Sequence, residues 1–184
     1  EYPLALLRSQ IAQVLQDPFL FGEPLRNNIS YDDPERALEF IWESADSAAL
    51  RGTIEEFPKQ METLVGERGV TLSGGQKQRT TLARGLIRDS AVLILDDCFS
   101  SVDTETEEHI LSRLKQLRDG KTTILVSHRV STLRHTDRIV VLEEGRIAEQ
   151  GTHHQLLDLD GIYAELERLQ TQGMSPAKPA AEPV

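Results

Sequence analysis

Residues 92–103 read VLILDDCFSSVD. Four apolar side chains run straight into two adjacent carboxylates, Asp96 and Asp97, and a small loop leads on to a third acid, Asp103. An apolar run that ends in paired acids is the pattern of a buried strand delivering charge to a site. The run 91-AVLIL-95 is β-rich and nearly all apolar, as expected of a strand covered on both faces. Thr104 and Glu107 have the spacing of a capping box, Ile110, Leu111, Leu114 and Leu117 form one helical stripe, and Gly120 supplies a stop. A second apolar strand, 122-TTILVS-127, follows. Strand, helix and strand in this order make a βαβ unit of a parallel sheet, so the expected class is α/β.

Upstream, 72-LSGGQKQR-79 carries Ser73 and Gln76 at capping-box spacing, which predicts a helix starting at Ser73. Two glycines in its first turn cost stability unless something must approach the backbone closely. A helix N-terminus offers unpaired N–H groups and a positive dipole end, so an anion such as phosphate suits it. An ordinary capped helix remains the alternative. Asp96, at the C-terminal end of a buried strand, sits where parallel-sheet proteins place ligands, and a carboxylate there can hold Mg²⁺ beside a nucleotide. His128 follows the neighbouring strand.

Elsewhere the pattern is coarser. Residues 4–16 mix apolar and polar side chains and end in a turn at 17–24. Asp33-Pro34 reads as a helix start, with Ala37, Leu38, Ile41 and Trp42 on one face. Gly52 and Pro58 break 43–64 into two short helices, and 138–151 reads as a hairpin turning at Glu144-Gly145. Thr152 and Gln155 repeat the capping-box spacing before a last helix to about Leu169, and the Pro- and Ala-rich tail 171–184 is expected to be disordered.

The totals exclude some classes. A net charge of −10 argues against a general nucleic-acid binder, which needs clustered Lys and Arg. The single cysteine, Cys98, allows no internal disulfide and has no Cys partner for a metal site. No apolar run approaches the roughly 20 residues of a membrane span. His153-His154 reads as a solvated helix cap.

Taken in order, these stretches strongly resemble the nucleotide-binding domain of ATP-binding cassette (ABC) transporters. VLQDPFLF (14–21) is similar to the Q-loop, with Gln16 as its glutamine, and LSGGQKQR to the signature motif. VLILDD resembles the Walker B strand, SSVD (100–103) the D-loop, and Ser127-His128-Arg129 the switch-histidine motif. The resemblance covers residues 4 to about 170, and QDPFLFGEPLRNNI and LVGERGVTLSGGQ resemble exporter cassettes. It implies a P-loop NTPase-like parallel-sheet core with an inserted α-helical subdomain. Residues 1–24 would end the first core lobe, 25–88 would form the helical subdomain, and 89–170 would form a RecA-like core. The implied cofactors are ATP and Mg²⁺. Gln16 would sense Mg²⁺ and the γ-phosphate, Asp96 would bind Mg²⁺, and His128 would contact the γ-phosphate. Ser73, Gly74, Gly75 and Gln76 would grip the ATP held by a second, head-to-tail cassette, with Asp103 at that interface. Glu67 would lie toward the membrane-domain contacts. The implied setting is the cytoplasmic face of the inner membrane, beside a transmembrane domain.

Two departures matter. No G-x-x-x-x-G-K-[ST] phosphate loop occurs in the 184 residues, and residue 1 is Glu. The chain is therefore expected to be the C-terminal part of a cassette, truncated at the N-terminus: inactive alone for want of that loop, and poorly folded because sheet edges are left open. Second, the acid after Walker B, a Glu general base in most members, is Asp97. One methylene shorter, it withdraws the carboxylate by about an ångström, which can cost about a hundredfold in rate. LDDCFSSVD thus resembles the degenerate-site subunit of a heterodimeric exporter, with the Asp97 site slow and the partner's site active. A homodimer with Asp97 as a tolerated base, or a regulatory nucleotide-binding subunit with little hydrolysis of its own, is the alternative. A soluble ABC-type ATPase of DNA repair or chromosome structure would carry long coiled-coil heptads before the signature, and none occurs here.

Overall fold

The apolar run of residues 92–95 forms the middle of a parallel sheet in the computed structural model, which describes residues 2–66 and 70–172. Glu67 and most of the expected disordered tail lie outside the described residues. The chain divides into two compact units at Val126/Ser127.

The first unit contains, in order, α1 (Leu4–Ser9), β1 (Ile11–Val14), α2 (Leu25–Ile29), α3 (Leu38–Ser47) and α4 (Arg51–Glu55). A short 3-10 turn (Gln60–Glu62), α5 (Gly74–Leu86), β2 (Val92–Asp96), α6 (Thr104–Leu117) and β3 (Thr122–Val126) complete it. The strand order is β1-β2-β3, all parallel, with Ile11 opposite Val92 and Asp96 opposite Val126. The expected βαβ unit is therefore β2-α6-β3. Leu93 and Leu95 are fully buried and join Ala12 and Val14 in a core with α2, α3, α5 and α6. Burying each leucine contributes about 2 kcal/mol.

Gly85 sets how closely α5 lies on the sheet. A Cβ there would stand 2.5 Å from Val14 Cγ2, so any larger residue would lift the helix off β1. Two salt-linked arginines hold other helices together. Arg113 on α6 reaches Asp46 at 3.1 Å, and Asp46 also accepts from Arg51 Nε.

Several sequence expectations change. Strand β2 is not buried on both faces: Val92, Ile94 and Asp96 are half-buried, and on β3 Ile124 and Val126 are 48% and 50% exposed. Helix α3 starts at Leu38, not at Asp33-Pro34, because Asp33 Oδ1 accepts from Glu35 N and holds this segment in an Asx-type turn. Leu38 is exposed accordingly, while Ile41 is buried. The cap of α6 is Asp103, one residue before the expected Thr104; its carboxylate accepts from Thr106 N at 2.9 Å. Both residue types cap well, so spacing alone did not separate the two registers.

The second unit contains α7 (Val130–Leu133), β4 (Ile139–Glu143), β5 (Arg146–Gly151), α8 (His153–Asp158) and α9 (Ile162–Thr171). The hairpin β4-β5 turns at Glu144 and Gly145 as expected, both with positive φ. Thr152 forms its capping box with Gln155. The single last helix is two, α8 and α9, because Glu149 from β5 accepts from Ile162 N and Tyr163 N and starts a new helix there. His153 is not a solvated cap: its Nδ1 lies 2.9 Å from the hydroxyl of Tyr163, which is buried. Burial pushes the Tyr163 phenol up to about 12.

Candidate nucleotide site

The loop after β1 and the turn after β2 emerge side by side because their strands are hydrogen-bonded neighbours. Gln16 lies two residues beyond β1, and its side-chain amide donates to Asp97 Oδ2 at 3.3 Å. Asp96 closes β2 and Asp97 begins the turn. The Asp97 amide donates to Val126 O at 2.9 Å, which extends the β2-β3 pairing by one residue. At that point the backbone reverses with Asp97 at φ 43°. A left-handed conformation is uncommon outside glycine, and Asp is among the side chains that adopt it most readily.

The turn that follows is anchored by buried side chains. Cys98, Phe99 and Val102 enter the core, and Val102 N donates to Phe99 O at 2.9 Å. Burial pushes the Cys98 thiol up to about 12, and the neighbouring carboxylates add to the effect. Ser100 and Ser101 are left exposed, facing helix α5.

Helix α5 begins as expected at Ser73. Its hydroxyl accepts from Gln76 N at 3.2 Å, and the Gln76 side chain accepts from Ser73 N at 2.9 Å. The glycines in its first turn acquire a reason the sequence did not suggest. A Cβ on Gly75 would stand 2.7 Å from the Ser101 carbonyl oxygen, and one on Gly74 would stand 3.3 Å from Ser101 Oγ. The close approach required here is to this chain's own loop. The side chain of Gln78 completes the junction, donating to Ser100 Oγ and accepting from Ser101 N, each at 2.8 Å.

A second polar knot holds the loop after Gln16. Asn28, fully buried, accepts from Phe21 N and donates to the carbonyls of Phe21 and Glu23. Arg84 of α5 donates to Asn28 O at 2.6 Å and to Phe19 O at 2.9 Å, and lies over the Phe21 ring. Desolvation lowers the Arg84 pKa. Neither residue stood out in the sequence, since a lone polar residue within a helix carries no periodic signal. Gln78 was likewise missed within LSGGQKQR.

The structure thus brings Gln16, Asp96 and Asp97 together, and separately joins Ser73–Gln76 to the 100–103 loop. Asp103 acts as the α6 cap, and the Thr106 amide holds its carboxyl below the usual carboxylate range. His128 belongs to the second unit. There its carbonyl accepts from Gln170 Nε2 at 2.7 Å, while Val130 N donates to Gln170 Oε1 at 2.8 Å. Arg129 N donates to Ser127 Oγ at 3.0 Å. One glutamine of α9 therefore clamps both sides of the His-Arg pair.

The family model described as "ABC transporter" matches residues 2–100, more than half of the chain. The chain belongs to the ABC transporter family. It is 46% identical over 172 residues to an ATP-dependent lipid A-core flippase of Paraburkholderia xenovorans, covering 94% of this chain and 29% of the flippase. It is also 46% identical over 170 residues to an uncharacterized ABC transporter ATP-binding protein, YknU, of Bacillus subtilis, covering 92% of this chain and 29% of that protein. Among solved structures, a bacterial Atm1-family ABC exporter with ATP bound superposes with a TM-score of 0.86 at 40% identity. That match covers 91% of this chain and 30% of the exporter. The chain spans about 29% of the length of these curated relatives.

ABC ATPase domains bind ATP and Mg²⁺. Asp96 and Gln16 carry carboxylate and amide oxygens, the hard donor type that Mg²⁺ prefers. The one soft ligand nearby in sequence, Cys98, is buried with its thiol held protonated.

Proposed function

We propose that this chain is part of the ATP-hydrolysing cassette of an ABC exporter, coupling ATP binding and hydrolysis to movement of a substrate across a membrane. The observation that carries this reading is the Gln16–Asp97 contact at the C-terminal ends of adjacent parallel strands, with Asp96 beside it. In this reading Asp96 holds Mg²⁺ through water, with Gln16 as a second oxygen donor. The metal would neutralise charge on the phosphates. Asp97 accepts the proton of the attacking water, and His128 donates to the γ-phosphate. Ser73 through Gln76 turn the start of α5 toward ATP held by a second cassette, and Asp103 lies at that interface. Residues 1–24, 25–88 and 89–170 then serve as the end of the first lobe, the helical subdomain and the second part of the core.

The transmembrane partner docks beside Gln16. Leu15 and Phe19 flank Gln16 at 56% and 64% exposed, and Tyr31, stacked on Phe21 from beyond α2, is 60% exposed. Among the described residues no helix is long and apolar enough to cross a membrane. In this reading the cassette works at the cytoplasmic face of the membrane, as the ATP-binding part of a membrane exporter. The similarity to lipid A-core flippases favours a lipid among drug, lipid and peptide cargoes.

A second reading has its own support. Asp97 is short, has φ 43° and already receives the Gln16 amide, all of which suit a slow site in one subunit of a heterodimer. The chain would then regulate in cis and contribute its intact Ser73–Gln76 segment in trans. The deciding experiment measures ATPase activity of the full-length gene product, alone and with the product of a neighbouring transporter gene, each with and without Asp97→Glu. A silent lone subunit, an active pair and a gain from Asp97→Glu support the asymmetric pair. A fully active lone subunit unaffected by Asp97→Glu supports a homodimeric exporter. No ATPase activity in any combination sinks the cassette reading.

A further inference from the structure

Gln78 is 3% exposed, yet both heteroatoms of its amide point at an exposed loop. A buried amide is costly to desolvate unless fully paired, and this one is paired at both ends. Its Nε2 donates to Ser100 Oγ and its Oε1 accepts from Ser101 N, both at 2.8 Å. Ser101 in turn fills the space left by Gly74 and Gly75. The bond therefore ties the first turns of α5 to the loop that follows Asp97.

The link to Asp97 is short and stiff. Ser100 N donates back to Asp97 O at 3.4 Å, and Val102 N to Phe99 O at 2.9 Å, so residues 97–102 make two overlapping turns. Cys98, Phe99 and Val102 are fixed in the core on the other side. A shift of α5 along its axis can be taken up only by breaking the Gln78 pair or by moving Ser100 and Ser101. Moving those two residues tilts the turn that carries Asp97.

We infer that Gln78 is a positioning residue that couples the Ser73–Gln76 end of α5 to the Asp97 carboxylate, so that engagement of one ATP site sets the geometry of the other. This rests on the proposed cassette reading, in which the start of α5 and Asp97 serve different ATP molecules. Gln78 touches neither nucleotide and acts through Ser100 and Ser101 alone. Displacing a reacting group by an ångström can cost about a hundredfold in rate, so a lost tether is read in turnover.

The test uses the full-length gene product in its active assembly and measures kcat and KM for ATP, together with Tm. Gln78→Met keeps the volume and removes both bonds; kcat falls at least tenfold, with KM within twofold. Gln78→Glu retains an acceptor for Ser101 N and for the Ser100 hydroxyl, and recovers kcat to within threefold of wild type. Ser100→Ala, at an exposed position where folding is not at risk, lowers kcat about threefold, and the double variant is no slower than Gln78→Met alone. If Gln78→Met does not fold, the Ser100→Ala loss of kcat and the Gln78→Glu recovery decide the matter. Unchanged kcat in Ser100→Ala, or Gln78→Met and Ser100→Ala losses that simply multiply, overturns the coupling while wild-type ATPase activity leaves the cassette reading standing. A wild-type protein without ATPase activity overturns both.

Discussion

The side-chain amide of Gln16 donates to the carboxylate of Asp97 across 3.3 Å, joining the loop after β1 to the turn after β2. Eighty-one residues separate the two in sequence, and only the parallel pairing of Ile11–Val14 with Val92–Leu95 brings them together. Asp97→Asn keeps an oxygen for this bond and a side chain that tolerates φ 43°, but removes the base. ATPase turnover of the assembled transporter should fall at least tenfold at the Asp97 site, with Tm unchanged. Asp97→Glu should lower Tm slightly, because Glu is less suited to the left-handed conformation.

Ser73 allows the anion role of α5 to be separated from its capping role. Ser73→Ala removes the oxygen that accepts from Gln76 N and should destabilise the helix by about 1 kcal/mol. Ser73→Asp restores a cap of equal quality but adds a negative charge. If phosphate meets this helix end, turnover drops at least tenfold in Ser73→Asp while thermal unfolding stays at the wild-type temperature. Full activity in Ser73→Asp would show that no phosphate approaches Ser73.

Asn28 is a stability position. Asn28→Ala leaves Phe21 N, inside a part-buried loop, without its acceptor and takes an oxygen from Arg84. An unsatisfied buried donor costs about 1–3 kcal/mol, which should appear as a lowered Tm and faster proteolysis around residues 17–24.

Cys98 should be silent toward alkylation. Its thiol is buried and pushed up to about 12, so little thiolate exists at pH 8. Iodoacetamide should label it only after denaturant is added. Because the folded pKa is raised, the unfolded thiol loses its proton first, and this group lowers stability as pH rises above about 8.5. Rapid labelling of the native protein would contradict the burial.

Asp103 gives the opposite pH signature. Thr106 N holds its carboxyl below the normal range, so its contribution is present above the unfolded pKa of about 4 and is lost as pH falls through the lower folded value. Asp103→Asn retains a capping oxygen without the charge. The Tm difference between wild type and this variant should be seen near neutral pH and vanish once pH falls below the lowered folded value.

The α/β class was legible because the central elements announced themselves over a few adjacent residues. The VLIL run, the 110–117 stripe and the capping pair Ser73/Gln76 are local patterns, and strand, helix and cap form where they indicate. Gln16, Asp96, Asp97 and His128 could be offered as candidates for the same reason, since each sits in a short motif. The cap of α6 was misplaced by one residue because Asp103 and Thr104 are both competent caps, and register is settled by packing.

Sequence by itself therefore determined the α/β class and the central β2-α6-β3 unit, and it offered the candidate site residues. Tertiary structure alone decided which of those side chains meet and what holds them. The pairing of β1 with β2, which aligns Gln16 with Asp97, is a contact across a long crossover with no mark at either end. The Gln78 bridge, the Asn28–Arg84 knot and the Gln170 clamp on His128 and Val130 are each satisfied by groups distant in sequence. A polar side chain shows its type in the sequence, but its partner is chosen by the close packing that buries it, and the cost of leaving it unpaired is what makes that choice binding.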